Sequence, residues 1–228
     1  MENYTAALGE FLSGFISETR KQKFHDILAL RTRYLTVAVE DIYQPHNISA
    51  VLRSAECFGV QDVHIIGNRN KYNPNPDIVM GASKWLTLHH YTKTEDNTLS
   101  CIRSLKEKGY RIVATTPHEE QASPETFDLE KGKAVLFFGT ELEGISETVK
   151  READEFLTIP MYGFTESFNI SVSAAICLYA LTSRLRKSDK HWQLDETEKA
   201  ELFLEWTRNT LNRPDLLEEE FRKKAGLV

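Results

Sequence analysis

Three short segments of the sequence combine glycine, amide, hydroxyl and guanidinium groups that could do chemistry together. They are residues 47–59, 139–144 and 159–169. Each segment follows a predicted strand, and ligands of open parallel sheets bind beyond the carboxyl ends of the strands. We therefore expect the three segments to meet at one edge of a sheet and to form a binding site there.

The glycines of the second segment predict a close approach between a ligand and the backbone. Gly139 directly follows an apolar strand, where a side chain would block such an approach, and Gly144 lets the chain turn into a helix. A glycine at the junction between a strand and a helix is also common in a simple turn with no ligand. The sequence of this segment is neither GxGxxG nor GxxxxGK(S/T), which disfavours a dinucleotide-binding fold and a P-loop.

The polar residues of the other two segments each allow a functional and a structural interpretation. Arg53 lies off the apolar stripe of its helix, so it is either a solvated side chain or a guanidinium that grips a phosphate. Ser167 and Asn169 precede a helix and could be caps rather than catalytic groups. Asn47 is itself predicted to be the N-cap of the first helix of the sheet domain.

Metal-dependent and covalent hydrolytic chemistry find no support in the sequence. It contains neither HExxH nor GxSxG, and its seven histidines show no metal-ligand pattern. Cys57, Cys101 and Cys177 stand far apart, which favours reduced thiols over a disulfide framework or a zinc site. We therefore expect no metal at the site.

Predicted strands alternate with predicted helices through the middle of the chain. Strands are predicted at 35–39, 63–66, 85–91, 110–115, 134–138 and 156–159, and the helices between and after them at 47–58, 96–108, 146–151 and 169–186. This alternation predicts an α/β fold with a mostly parallel sheet and helices on both faces.

Helical patterns flank this sheet domain at both ends. We predict an N-terminal, partly basic helical segment at 1–33, the α/β domain at 34–190 and a C-terminal helical extension at 191–228.

Nucleic-acid binding depends more on where the charges lie than on the net charge of the chain. The chain has 28 Lys and Arg against 34 Asp and Glu, a net charge of −6. Basic residues nevertheless cluster at 20–33 and 184–190, and RNA affinity depends on where cations lie. Solvated helix faces would explain either cluster equally well.

The chain starts without a secretory pattern, and its longest apolar run, 170–181, is too short for a bilayer, so we expect a cytoplasmic protein.

Taken together, the three segments resemble the three motifs of the SpoU (TrmH-like) class of SPOUT methyltransferases. Residues 47–55 with Gly59 are similar to the first motif, 138–146 to the second, and 159–161 with 167–172 to the third. The resemblance extends from about residue 20 to 187. It implies a homodimeric, S-adenosylmethionine-dependent RNA ribose 2′-O-methyltransferase, with a trefoil knot in the C-terminal third of the sheet domain.

Within the class, the resemblance points to a tRNA D-loop guanosine as the substrate. The alternatives are the same reaction on ribosomal RNA or at another tRNA position, and a catalytically silent RNA-binding relative. A nucleotide-binding oxidoreductase is a third alternative, although the glycine fingerprint is missing.

The resemblance also implies roles for individual residues. The catalytic group would be Arg53, Asn47, Ser167 and Asn169. The S-adenosylmethionine pocket would use Thr115, Gly139, Glu141, Ile159, Met161 and Phe168. RNA contacts would fall on Arg20, Lys23, Arg31, Lys84, Arg184 and Arg186.

Arg53 is often regarded as a general base in this class, but guanidinium groups hold their protons too tightly for that role. We expect Arg53 to anchor a phosphate and polarise the 2′-hydroxyl, with a phosphate oxygen or solvent taking the proton. The chain also departs from the class. It has Arg184 and Arg186 one residue away from the usual Gln-Arg pairs, and Phe168 where leucine is usual, which leaves the identity of the RNA open.

Overall fold

The computed structural model describes residues 2–69, 81–119, 121–140 and 142–226. The chain divides into two compact units. One unit contains residues 32–192. The other is formed by the residues up to 31 together with those from 193 onward, so the two terminal helical segments belong to one unit.

Six strands form the sheet of the larger unit, in the order β3-β2-β1-β5-β4-β6. They are β1 (Leu35–Glu40), β2 (Asp62–Ile66), β3 (Thr87–Tyr91), β4 (Arg111–Thr115), β5 (Ala134–Phe138) and β6 (Glu155–Leu157). Each of the strand pairings is parallel, which confirms the predicted parallel sheet. The central strands β1 and β5 are buried along their whole length, as expected of strands covered on both faces.

The described helices are, in chain order, α1 (Glu2–Ser13), α2 (Glu18–Leu28), α3 (Pro45–Cys57), α4 (Asn97–Glu107), α5 (Glu147–Glu152), α6 (Ile170–Leu185), α7 (Glu196–Thr210) and α8 (Pro214–Lys224). The apolar residues of α3 and α6 share one core with the sheet, and those of α4 and α5 share a second core. Helices therefore cover both faces, as predicted. No described helix is long and apolar enough to cross a membrane.

The direction in which the chain adds strands to the sheet reverses between β1 and β5. From β1 the chain continues outward to β2 and β3, then crosses over to β4 and returns to β5, which pairs with β1. The helix after β1 packs with one core and the helix after β5 with the other. Loops that leave neighbouring strands towards opposite faces open a ligand-binding crevice at the carboxyl ends of those strands.

Helix α3 begins earlier than predicted, and the assignment of Asn47 as its N-cap is wrong. The N-cap is Gln44, and Pro45 occupies the first turn. Proline suits this position because its φ is already helical and it lacks the N–H that would be unpaired there. Asn47 consequently lies inside the first turn, with only 3% of its surface exposed.

The smaller unit is a helical cluster held by apolar and aromatic contacts. Helix α1 packs along α7 and contacts α8, and α2 also contacts α7. Leu8, Leu12 and Leu204 are buried together, with Phe11 and Phe221 against them. Asp195 and Glu198 form a capping box at the start of α7.

A pair of stacked histidines lies between β2 and β3 in the larger unit. His64 is 2% exposed, and its ring lies 4.5 Å from that of His89, which contacts Asp62. Burial, reinforced by the neighbouring His89 and Lys108, lowers the pKa of His64 from 6.5 to about 3, although Asp62 opposes the shift. The folded protein therefore keeps this ring neutral at pH values where an unfolded chain would protonate it.

Acidification should destabilise the fold through His64. Because its pKa is lower in the folded state, its contribution is fully present above pH 6.5 and is lost as the pH falls towards 3. We expect the free energy of unfolding to fall by up to about 1.4 kcal/mol per pH unit below pH 6.5. Urea denaturation between pH 7.5 and about 5 would measure it. Above about pH 5, Asp62, whose pKa is lowered from 3.8 in the folded chain, stays ionised in both the folded and the unfolded state.

The matched variants are His64→Leu, which removes the buried ring, and His191→Gln, which removes an exposed one. The pH dependence should be shallower in the first and unchanged in the second. An identical slope in His64→Leu and the unmodified chain would contradict the assignment.

Candidate functional site

A cleft of about 300 Å³ opens at the carboxyl ends of β4, β5 and β6. Its walls come from the three loops that follow these strands and from the start of α6. The described lining residues fall within 115–118, 138–145 and 157–173, together with Lys150 of α5. Two of the three segments singled out in the sequence, 139–144 and 159–169, therefore face the same cavity.

The loop after β5 is a tight backbone turn that only glycine permits at residue 139. Thr140 N–H donates to the Gly144 carbonyl at 2.8 Å, and Gly144 N–H donates back to the Thr140 carbonyl at 3.1 Å. A Cβ on Gly139 would lie 1.9 Å from the Gly144 oxygen. Gly144 itself has φ +70°, a conformation that residues with side chains rarely adopt. At residue 139 the turn thus presents backbone rather than a side chain beside β5.

A buried carboxylate holds the far end of this turn to the sheet. Glu40, the last residue of β1, is 3% exposed and accepts hydrogen bonds from Ser146 Oγ at 2.8 Å and Ser146 N–H at 3.1 Å. It also accepts one from Thr98 Oγ1 at 2.5 Å. Ser146 in turn caps α5 by accepting from Val149 N–H. Sequence reasoning missed Glu40, although an acid at the end of an apolar strand was a signal.

Threonine side chains join the loops around the rest of the cleft. Thr158 Oγ1 is within hydrogen-bonding distance of the Thr116 carbonyl, at 2.8 Å, and of the Glu119 carbonyl, at 2.6 Å. Thr115 Oγ1 donates to the Phe137 carbonyl at 2.6 Å. These bonds tie the loop after β6 to the loop after β4, and β4 to β5, so the walls of the cleft are connected to each other.

The first and third segments meet through two asparagines. Asn169 Nδ2 donates to Asn47 Oδ1 at 3.2 Å, which joins the start of α3 to the start of α6. Asn169 also caps α6, since its Oδ1 accepts from Ser171 N–H at 2.8 Å. The capping and connecting roles therefore belong to one side chain.

The structure brings most of the predicted cofactor residues to the cleft. Its lining includes Thr115, Gly139, Ile159, Met161 and Phe168, and also Ser167, which was predicted to be catalytic. Glu141 lies outside the described residues. Arg53 lies elsewhere, on the exposed side of α3 and not in the cleft lining, and it has no ion-pair partner among the described residues. Asn47 and Asn169 are likewise not among the lining residues of the cleft.

The predicted RNA-contacting cations fall into two groups. Arg20, Lys23 and Lys84 are exposed. Arg31 is only 1% exposed and lies over the Trp206 ring, so its proposed contact with RNA is not retained. A buried guanidinium cannot reach a phosphate.

The two arginines at the end of α6 that were predicted to contact RNA form hydrogen bonds within the protein. Arg184 donates to the carbonyls of Pro124 and Phe127 at 2.8 and 2.7 Å, so it stabilises the loop before β5 and is not retained as an RNA contact. Arg186 donates to the Phe58 carbonyl at 2.8 Å and lies over Trp192, although its side chain keeps an exposed surface. Both guanidinium groups donate hydrogen bonds to carbonyl groups that lie far away in the sequence. The periodicity of a helix cannot predict such contacts.

Several ionisable side chains at the cleft were not predicted as individual site residues. His118, Glu143, Lys150 and Glu166 contribute to its lining. Lys150 lies one helical turn after Glu147 and pairs with it at 2.7 Å. Their positions follow from the packing of α5 and of the loops, so no local pattern identified them.

Gly139→Ala should disrupt the turn after β5. The new methyl group would overlap the Gly144 carbonyl, so the backbone must move, and we expect the free energy of unfolding to fall by more than about 2 kcal/mol. Gly163→Ala is the matched control, because a Cβ there meets only the Thr165 nitrogen at 4.0 Å. It should change stability by less than about 0.5 kcal/mol. Equal unfolding curves for the two variants would show that the turn is not constrained as described.

Comparison with known proteins agrees with this arrangement. The model of the SpoU rRNA Methylase family matches residues 34–179. A tRNA (guanosine(18)-2'-O)-methyltransferase of Borreliella burgdorferi is 42% identical over 207 residues, which cover 91% of this chain and 93% of the relative. The Thermus thermophilus protein of the same name is 33% identical, over 72% of this chain and 81% of the relative.

Solved structures show the same architecture. The crystal structure of the A. aeolicus TrmH/SpoU tRNA modifying enzyme has a TM-score of 0.73 and 28% identity, and covers 86% of this chain and 98% of that one. The SpoU methyltransferase AviRb from Streptomyces viridochromogenes, solved in complex with the cofactor AdoMet, has a TM-score of 0.60 and 21% identity, over 72% of this chain and 65% of that one. This second likeness concerns the fold. By its family model and its relatives, the chain belongs to the SpoU rRNA Methylase family.

Proposed function

We propose that this protein is an S-adenosylmethionine-dependent RNA methyltransferase that modifies the ribose 2′-hydroxyl of guanosine 18 in tRNA. The observation that carries the proposal is the cleft at the carboxyl ends of β4, β5 and β6, which is lined by the two segments that resemble the second and third motifs of the family. The relatives that match most of the chain bear the name of this activity. The family model names ribosomal RNA, which makes the same reaction on that RNA the second candidate.

The residues of the cleft fit the methyl donor. Leu157, Ile159 and Met161 offer apolar surface for an adenine ring, and the volume of about 300 Å³ lies at the lower end of the range for small-molecule sites. Gly139 has no side chain, so polar groups of a ligand can reach the backbone N–H and C=O groups at this residue. The donor supplies an activated methyl group on a sulfonium sulfur when bound.

The chain's own contribution to the reaction is positioning. Methyl transfer needs the ribose oxygen in line and about 3 Å from the methyl carbon, with water excluded. The Asn169–Asn47 hydrogen bond fixes the third loop against α3. Ser167 lines the cleft in the same loop. Together they would hold the wall of the cleft against which the acceptor nucleotide lies.

Arg53 would act on the RNA rather than on the donor. It lies about 9 Å along α3 from Asn47, at a rise of about 1.5 Å per residue, and its side chain is exposed. We propose that it binds a phosphate of the substrate and polarises the 2′-hydroxyl. The ribose oxygen then gains the methyl group, and its proton passes to a phosphate oxygen or to solvent, because a guanidinium does not serve readily as a base.

The proposal includes three further properties expected of the family. The first is a knot, supported by the bonds of Thr158 and Asn169, which hold both ends of the loop after β6 against other segments. The second is a homodimer, supported by the exposed apolar side chains of Val172 and Tyr179 on α6. The third is a cytoplasmic location, where tRNA is modified.

The exposed cations Arg20, Lys23, Lys84 and Arg186 remain the proposed RNA contacts of the chain. Each contact with a phosphate releases counterions, so it contributes to the salt dependence of binding. This would explain how a chain of net charge −6 binds RNA locally.

The activity is tested directly with a tRNA transcript and labelled S-adenosylmethionine. We expect one methyl group per transcript, recovered as 2′-O-methylguanosine from position 18. A transcript with adenosine 18 and a ribosomal RNA fragment serve as controls. Labelling of the ribosomal fragment alone would establish the second candidate, and no labelling of either RNA would contradict the proposal.

Arg53→Ala and Arg53→Lys should both lose activity while retaining the donor. Lysine keeps the charge but not the planar fork that binds two phosphate oxygens. We expect methyl transfer to fall by about 100-fold or more in each variant, as when a group that stabilises developing charge is removed. Calorimetric titration with S-adenosylmethionine should give an unchanged affinity. If both variants lose donor binding, Arg53 is structural.

Substitutions of Asn169 should separate its two roles. Serine can still cap α6 but is too short to reach Asn47, whereas alanine removes both interactions. We expect Asn169→Ser to retain the stability of the unmodified chain and Asn169→Ala to lose about 1 kcal/mol. Both should slow methyl transfer by about tenfold to a hundredfold, because the third loop is no longer positioned. A fully active serine variant would show that the link to Asn47 has no role in the reaction.

A further inference from the structure

Two aromatic rings project from the loop after β6 at the edge of the donor cleft. Tyr162 is 97% exposed and Phe164 is 109% exposed. Neither ring contacts another aromatic ring among the described residues. Packing within the chain therefore does not explain why this loop carries aromatic side chains.

The loop places these rings where the RNA must come. Met161 precedes Tyr162 directly and lines the cleft, as do Glu166, Ser167 and Phe168 on the other side of Phe164. Consecutive Cα atoms are about 3.8 Å apart, so the Cα of Phe164 is within about 11 Å of that of Met161. Whatever nucleotide accepts the methyl group, it or its neighbours lie within reach of both rings.

The charge of the loop indicates how it would contact the RNA. Residues 160–169 contain no Lys, Arg or His, and Glu166 is acidic. The loop therefore offers no cationic side chain to the phosphates of the RNA. Aromatic side chains instead stack on unpaired bases, an interaction that is tolerant of sequence. A nucleotide that is pulled out of a folded RNA for modification loses its stacking neighbours and needs such a replacement.

We infer that Tyr162 and Phe164 form a stacking platform for unpaired RNA bases at or beside the methylated nucleotide. This inference rests on the proposed function, since it assigns the loop to the substrate of that reaction. The platform contributes affinity for RNA without a contribution to its salt dependence, whereas the exposed cations contribute both. The aromatic loop and the basic residues thus have separable roles.

The test compares three double variants of the full chain. Tyr162→Ala with Phe164→Ala removes the rings, Tyr162→Leu with Phe164→Leu keeps apolar bulk without aromatic faces, and Tyr162→Phe with Phe164→Tyr keeps both rings. Methylation of the tRNA transcript is measured at low and high potassium chloride concentration. The affinity for S-adenosylmethionine and the molar mass in solution are measured for each variant.

We expect KM for the transcript to rise by about tenfold to a hundredfold in the alanine and leucine variants, and to stay unchanged in the aromatic exchange. The dependence of KM on salt, the donor affinity and the molar mass should not change. Leucine variants that behave like the unmodified chain would overturn the inference, as would a fall in molar mass, which would assign the rings to a contact between two copies of the chain.

A fluorescence measurement gives an independent answer if the double variants fold poorly. Tyr162→Trp should retain activity, and its added emission should be quenched when the transcript saturates the protein. If the transcript quenches the emission of this variant no more than it quenches that of the unmodified chain, the platform is overturned. If the unmodified chain methylates no RNA, the proposed function fails instead, so the two failures are distinguishable.

Discussion

The close approach of two backbone segments, Gly139 against Gly144, is the constraint on which the site depends. A single additional carbon at residue 139 would occupy the position of a carbonyl group. Because the turn is closed by its own backbone hydrogen bonds, it can present N–H and C=O groups beside a strand that is otherwise apolar. The same turn ends at Ser146, which the buried Glu40 holds to the centre of the sheet.

This arrangement transmits the rigidity of the sheet to the loops. The central strands are buried on both faces and carry the turn at their carboxyl ends. Thr158 links the two outer loops, and Asn169 links the third loop to α3. Each loop of the cleft is thus tied to a neighbouring segment, which is what precise placement of two reactants requires. The cations proposed to contact RNA are by contrast exposed on the surface of the chain, namely Arg20, Lys23, Lys84 and Arg186.

The sequence was sufficient to predict the parallel sheet, the helices on both faces and the convergence of the second and third segments, because buried strands and helix stripes have local patterns. Gly139 was identified as a position that excludes a side chain, but its partner Gly144 was assigned only a turn, since the contact is three-dimensional. The predicted N-cap at Asn47 was wrong because Pro45 starts the helix earlier. Arg31 and Arg184 were predicted to face RNA, and tertiary contacts claim them instead. Glu40 was missed because its partners lie 58 and 106 residues away.

The most direct test of the account is a crystal structure of the protein with S-adenosylhomocysteine, the product of the methyl donor. The account predicts that the nucleoside lies in the cleft between the loops after β4, β5 and β6, in contact with the backbone around Gly139, and that the sulfur faces the side from which Tyr162 and Phe164 project. A ligand bound anywhere else on the chain, or one held in this cleft with its sulfur directed into the sheet, would contradict it.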